Sequence, residues 1–473
     1  MSPQAPAATG TFPRRLLVPM MLGAVLNPVN SSIISVALIP IGRAFGAPPS
    51  QTAWLVSALY LATAVGQPLV GRLVDLYGPK RLFLAGSGLV VVAGVVGMLA
   101  PTLGVLVAAR VVLGFGTCAG YPSAMTLIRR VADRRGLASP AGVLTALSVT
   151  VQTVAVVGPP LGGVLVDVGG WRATLGVNVP LGLAAVLLGW WLLPEIRGAR
   201  ADGVRFGRAL DWAGVGLFAA ALCGLMLFLM RPGWAWAPAL VVAAVAGTGF
   251  AVRELRTADP FVDVRVLLGN LPLLATYLRA LAASVVSYGF IYGYTQWLED
   301  GRGLAPTTAG LVLLPTFGVG IVVSVLVGRR GWVRFGLVVG TVAQVVACGL
   351  LLTLHAGSAL WVLVCATVVL GIAGLLNLSN QNALYFQARP EAMGASAGLL
   401  RTFQYLGAIA AAAATAAAYG HTASTAGLHD LAGFMLAASG VGLVVVLVDR
   451  SLVGLGPSPW SRRTNREKEM RCP

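Results

Sequence analysis

Charge is scarce in this sequence: Asp, Glu, Lys and Arg make up 10% of its 473 residues, against about 25% in ordinary soluble domains. So little charge cannot clothe a water-facing surface, and a soluble globule is excluded. Lysine is nearly missing, with Lys80 and Lys468 the only two among 33 basic residues, a bias that a GC-rich genome would produce without any chemistry. Acids are missing from the long apolar runs, since all 16 fall in loops or at the ends of runs. The five cysteines (Cys118, Cys223, Cys348, Cys365 and Cys472) are far apart, and four lie inside apolar runs. No disulfide or metal framework follows from such spacing. The three histidines sit near run ends, and no Gly-rich loop closes on Lys and Ser or Thr. No nucleophile stands beside a base. ATP use, a cofactor and an enzymatic centre are therefore not expected.

What is abundant is apolar: 57% of residues, with a mean hydropathy of +0.84. Runs of about 20 apolar residues are long enough to cross a bilayer. They recur at 16–40, 52–71, 82–100, 103–127, 141–166, 174–193, 211–230, 238–252, 271–295, 308–327, 336–355, 358–378, 394–419 and 431–449, fourteen in all. Arg14-Arg15 precede a first run long enough to remain as a permanent span and not a cleaved signal. The net charge of +17 does not indicate nucleic acid, because the basic residues lie between spans and not on one soluble face. With both termini on one side, 26 of the 33 basic residues fall on that side, four (Arg43, Arg172, Arg231, Arg302) on the other, and Arg110, Arg279 and Arg401 within spans. The bias predicts cytoplasmic termini and an inner-membrane, multi-pass chain.

The stretch 154–182, VAVVGPPLGGVLVDVGGWRATLGVNVPLG, organises the motifs. Gly and Pro weaken a soluble helix, yet between packed membrane helices they permit close contact. Gly158, Pro159, Gly162 and Gly163 are by themselves compatible with a kinked packing helix. The whole string closely resembles the fifth-span motif of antiporters in the major facilitator superfamily. Trp171-Arg172 and Asn178-Val179-Pro180 resemble its fourteen-span, drug-exporting branch, as does Asp211-Trp212 with Gly214. Gly71-Arg72-Leu73-Val74-Asp75-Leu76-Tyr77-Gly78-Pro79-Lys80-Arg81 is similar to the superfamily's signature loop, in which Asp75 can cap a helix end or pair with an Arg. Its counterpart in the second half, Gly328-Arg329-Arg330-Gly331, has no acid. Arg110 opens Arg110-Val111-Val112-Leu113-Gly114-Phe115-Gly116, which resembles the fourth-span motif with Leu113 in place of the usual Gln.

The resemblance implies an all-α polytopic membrane protein of the major facilitator fold, with two six-helix bundles plus an additional two-helix hairpin. On these spans it gives an N-terminal segment 1–15, a bundle 16–193, a linker 194–210, the hairpin 211–252, a linker 253–270, a second bundle 271–449 and a basic tail 450–473. The implied protein is a monomeric exporter of small amphipathic compounds, in contact with the bilayer and with protons as the coupling ion. Its first-span motif carries an acid where this chain has Asn30. The loss of that carboxylate leaves Asp167, Glu299 and Asp430, all at span ends, as candidates for proton coupling. A lipid or glycolipid flippase on the same scaffold, and a voltage-assisted exporter of anions, remain alternatives.

Candidate substrate contacts are Asn27, Asn30 and Ser31 on one face of the first span, Tyr60 and Gln67 in the second, and Gln152 in the fifth. Tyr288 and Tyr292 in the ninth span join them, with Gln404 and Tyr405 beside Arg401 in the thirteenth. For each of these alone, helix packing is the plainer role. An Arg in a span is costly and must find polar partners. Arg279 lies deep and is expected to face the cavity, whereas Arg401 either faces the cavity or snorkels from near its helix start. Topology is testable directly. In whole cells an impermeant thiol reagent is expected to label Arg302→Cys and not Asp133→Cys; labelling of the second alone overturns the map.

Overall fold

The computed structural model describes residues 12–455 apart from 48, 136–139, 197, 199–210, 231–232, 258–264, 266–268, 305, 329–331 and 420–422. Most of the predicted terminal segments and linkers, and of the loop 328–331, lie outside the described residues. The first half runs α1 (Leu17–Phe45), α2 (Pro49–Tyr77), α3 (Pro79–Met98), α4 (Leu103–Thr117), α5 (Gly120–Arg134), α6 (Ala141–Gly176) and α7 (Asn178–Leu192). A hairpin of α8 (Trp212–Met230) and α9 (Ala237–Arg256) follows. The second half runs α10 (Leu271–Gly289), α11 (Pro306–Gly328), α12 (Val333–Leu352), α13 (Leu360–Ile372), α14 (Gly374–Gln387), α15 (Met393–Tyr419) and α16 (Thr425–Val448). α4 with α5, and α13 with α14, each read as one span.

Among the described residues, eleven helices are long and apolar enough to cross a membrane, or twelve if the pair bent by 46° between Gly176 and Asn178 is one span. The fourteen runs read from the sequence exceed that count for two reasons. The apolar part of α8, Trp212–Phe228, is short. α15 is long but carries Arg401, Gln404 and a run of weakly apolar alanines. A second departure is that α10 does not continue as an ordinary helix to residue 295. It passes into π-helical turns at Phe290–Tyr294 and Trp297–Gly301, a geometry that is rare and concentrated at functional sites.

Helix packing repeats between the halves. α1 lies along α6, α3 along α7 and α2 along α4; in the second half α10 lies along α15, α12 along α16 and α11 along α13. The broadest contacts across the seam between the halves are α2 with α15 and α6 with α11, and smaller ones join α5 with α15 and α6 with α14. At the end carrying both termini the halves share one apolar core, in which Leu16, Ile128, Leu193 and Ile196 meet Leu273, Leu384, Met393 and Leu400. At the far end the first half keeps a separate cluster around Ile41, Leu55, Leu106 and Trp171. The hairpin leans on the seam: Phe218 and Leu222 of α8 pack with Val65 of α2 and Tyr405 of α15.

The 154–182 stretch divides by function once folded. Helical backbone continues through Pro159 and Pro160, and the bend comes at Gly170, whose φ of +66° favours glycine. Gly158 is buried against Ser32 of α1, and a side chain there would strike that residue, whereas Gly163 faces open space. Gly162 is buried.

Arg279 departs most from expectation. Its guanidinium does not face the cavity but donates to the Asp449 carboxylate at 2.6 Å, with both side chains almost wholly buried. It also donates to Thr276 Oγ1 at 2.5 Å and Asn380 Oδ1 at 3.5 Å. Asp449, in the turn after α16, further accepts from the Ser451 amide and hydroxyl. A counter-charge just beyond a span end is invisible to a reading that scores spans one by one. Removing one partner of a buried pair strands the other at a cost of about 3–5 kcal/mol, while replacing both with apolar groups is far milder. Arg279→Met alone is therefore expected to lower the thermal midpoint of the purified protein, and Arg279→Met with Asp449→Leu to recover most of the loss. Additive destabilisation in the double variant would remove the pair from the fold's support.

Candidate functional site

The seam is fastened at the termini end by a carboxylate and a helix start. Asp75, buried near the end of α2, accepts hydrogen bonds from the Gly394 and Ala395 amides at 2.8 and 2.7 Å. Those amides belong to the first turn of α15, where N–H groups lack intrahelical partners and the dipole favours an anion. α2 and α15 come this close because glycines meet there: a side chain on Gly71 would run into the Gly394 backbone, and one on Gly398 into the Gln67 carbonyl. Beside it Arg129 donates to the Tyr385 carbonyl at 3.0 Å and lies over the Tyr385 ring. Further along, Thr402 donates to the Ala64 carbonyl at 3.0 Å, and Gln152 of α6 donates to Ser324 of α11 at 3.2 Å.

Beyond these fastenings polar and aromatic side chains of both halves converge on an exposed Tyr292, and they form the walls of the chamber between the halves. The Tyr405 hydroxyl donates to Asn27 Oδ1 at 2.9 Å, and Asn27 donates to Thr117 at 3.0 Å. Tyr60 packs tilted on Tyr405 at 5.8 Å, and its hydroxyl lies 3.3 Å from that of Tyr292, which stacks on Tyr288. Arg401, eight residues or about 12 Å into α15, holds its guanidinium 4.1 Å from the centre of the Tyr121 ring and donates to Gln404 Oε1 at 3.0 Å. Gln404 and Gln381 in turn both donate to Asn377 Oδ1. The Tyr60–Tyr292 contact is the hydrogen-bonded link between the halves farthest from the termini end among the described residues.

Comparison with known proteins decides what this arrangement belongs to. The Major Facilitator Superfamily profile matches residues 20–412. The chain belongs to the major facilitator superfamily. It is 34% identical over 440 residues to the MFS-type transporter YwoD of Bacillus subtilis, covering 90% of this chain and 94% of that one. It is 28% identical over 403 residues, 83% of this chain and 73% of that one, to the tetracenomycin C resistance and export protein of Streptomyces glaucescens. Among solved structures the crystal structure of the human organic anion transporter MFSD10 superposes with a TM-score of 0.62 at 17% identity, covering 93% of this chain and 100% of that chain, a likeness of fold. The chain is thus a multi-pass membrane transporter and not an enzyme.

Within this transporter the residues singled out from the sequence part company. Asn27, Tyr60, Tyr288, Tyr292, Arg401, Gln404 and Tyr405 come together in the chamber. Asn30 does not join them. Its side chain and that of Asn178 form a reciprocal amide pair at 2.6 and 2.8 Å, and it also donates to the Leu26 carbonyl. Both residues are buried, so Asn30 ties α1 to α7 and has no atom left for a ligand. Arg110 is equally committed, donating to the Leu55 carbonyl at 3.0 Å and the Asn30 carbonyl at 3.4 Å. Ser31 and Gln67 each bury an oxygen without a partner, and Gln152 belongs to the seam. Lys80 donates to the Trp190 carbonyl and Arg81 pairs with Glu195 at the surface, while Gly78 turns the chain at φ +94°. Asp167 and Asp430 are exposed, and Glu299 lies in the second π-helical segment; none enters the chamber's hydrogen bonds.

Sequence reasoning missed Tyr121, Thr117 and Ser324, and saw in Asn178 only a motif letter. Each is one polar residue inside an apolar run, with no signal of the helix it faces. The Asp75 fastening carries a test. An ionised carboxylate accepts both amides, whereas an Asn offers one oxygen and a donor that clashes with the second N–H. Each charge-assisted bond is worth about 1.5–3 kcal/mol. Asp75→Asn is expected to loosen the seam, so that Ala395→Cys in that background reacts faster with maleimide than in the parent. An unchanged rate would show that the cap does not hold this end closed.

Proposed function

We propose that this transporter is a secondary active exporter of small amphipathic compounds, an antibiotic, drug or toxic metabolite, working by alternating access. The observation that carries the reading is one-sided closure: core and hydrogen bonds join the halves at the termini end, and the far end keeps separate clusters. A chamber shut at one end is what a carrier between two binding states presents. In this reading the chain has fourteen spans, α8 and α9 being the accessory hairpin of the drug:proton branch between bundles 16–193 and 271–449. It sits in the cytoplasmic membrane as a monomer with both termini inside, so the state described here faces outward.

Two relatives support the substrate range, the tetracenomycin C protein and the multidrug resistance protein Stp of Mycobacterium tuberculosis, 30% identical over 324 residues, 66% of this chain and 58% of that one. The position of α8 against α2 and α15 favours a ligand entering along the axis over a lipid sliding through that seam. Coupling to protons completes the proposal, with exchange at acids outside the chamber.

Expression in an exporter-deficient host is expected to lower susceptibility to some members of an antibiotic panel, and Gly158→Leu to abolish that protection with normal membrane insertion, because it wedges α1 from α6. Gly163→Ala is expected to retain it. No change in susceptibility or in efflux of any amphipathic dye by the well-expressed protein would overturn the exporter reading. In liposomes with pH gradient and voltage imposed separately, transport is expected to follow pH; transport driven by voltage alone would replace protons as the coupling ion.

A further inference from the structure

We propose that the chamber recognises planar aromatic anions, compounds with a carboxylate or phenolate on a ring system, and that Arg401 is the anion contact. The inference takes the chamber to be the transport site of the exporter proposed above. It rests first on what Arg401 leaves unused. A guanidinium has five N–H donors and stays charged. Among the described residues Arg401 spends one donor on Gln404 and lays one face on Tyr121. No carboxylate among the described residues pairs with it.

The buried acids Asp75 and Asp449 of the two bundles are committed elsewhere. Asp75 is held by the Gly394 and Ala395 amides, and Asp449 by Arg279 and Ser451. The chamber therefore carries a half-buried positive charge without a counter-charge, whose attraction for an anion is less screened than at an open surface. Aromatic walls alone would suit a cation as well. Here the face of Tyr121 is already occupied by a cation, and a second would sit near the first with nothing to offset the repulsion.

The rings determine the shape. Tyr288 and Tyr292 stack with planes 23° apart, and Tyr60 and Tyr405 stand tilted with ring centres at 5.8 Å. A flat ring system can lie on such surfaces while its acidic group turns towards the guanidinium edge, which matches a carboxylate in two parallel bonds. The Tyr60 and Tyr292 hydroxyls, each able to donate, lie on the far side of the chamber and suit the ligand's other oxygens.

The test is equilibrium binding to the purified full chain in lipid nanodiscs at neutral pH. Three probes of one shape are used: 2-naphthoate, the neutral 2-naphthamide and the cationic 2-naphthylmethylammonium. The naphthoate is expected to bind at least about tenfold tighter than the amide, the scale of one charge-assisted bond, with the ammonium weakest. Arg401→Gln should erase that order and Arg401→Lys should keep it at reduced affinity, both with the thermal midpoint of the parent. Ammonium binding that matches naphthoate, an order that survives Arg401→Gln in the folded protein, or no naphthoate binding at all would overturn the inference. A midpoint lowered in both variants would give Arg401 a structural role and overturn it too. Export of amphipathic compounds without this order would sink the substrate class and leave the exporter standing. The order without export in liposomes would do the reverse.

Discussion

A guanidinium does not give up its proton, so a span that carries one must surround it with acceptors, a counter-charge or water. This transporter carries three such groups and meets the demand in three ways. Arg110 is solvated by backbone carbonyls of α1 and α2, which fastens three helices of the first half. Arg279 is neutralised by Asp449, which pins the end of α16 to α10. Arg401 has a ring face and one amide. The first two are finished structural elements with nothing left for a ligand. The third is incomplete, and the incompleteness lies where the halves face each other.

The seam around that chamber is built from interactions of moderate strength. Two amide bonds to Asp75, single bonds from Thr402, Tyr405 and Gln152, and glycine contacts at Gly71 and Gly398 hold it. A typical internal hydrogen bond contributes only about 0.5–1.5 kcal/mol net, more when one partner is charged. That scale suits the joint that the proposed alternating access would open and close. Contacts within each half are of another kind: the Asn30–Asn178 amide pair and the Arg279–Asp449 ion pair are buried, and breaking either strands a polar group.

The hairpin and the π-helical turns bear on the same chamber from outside. Asp211, at the entrance to α8, accepts from Arg253 of α9 at 2.8 Å, so the two helices are clasped at one end. Leu222 of α8 then backs Tyr405 and Val65. On the opposite wall, the ordinary turn gives way just beyond Tyr288, and Gly293 packs where a side chain would strike Leu431 of α16. Tyr292, whose hydroxyl meets that of Tyr60, lies within the altered turn.

Much of the fold was legible in the chain before folding. Apolar runs of bilayer length, the one-sided basic residues and the Gly158–Gly163 and Gly71–Arg81 strings point to a polytopic transporter, because bilayer thickness and loop charge act on each segment separately. Span composition likewise singled out Asn27, Tyr60, Arg401 and Tyr405. The sequence by itself could not assign partners. That Arg279 answers to Asp449, 170 residues away, and Asn30 to Asn178, 148 residues away, depends on which helices pack together. No local periodicity encodes that choice. Span rules determined that three arginines enter the membrane, and tertiary packing alone decided which partners each of them met, because a buried charge is spent wherever the nearest acceptor happens to be.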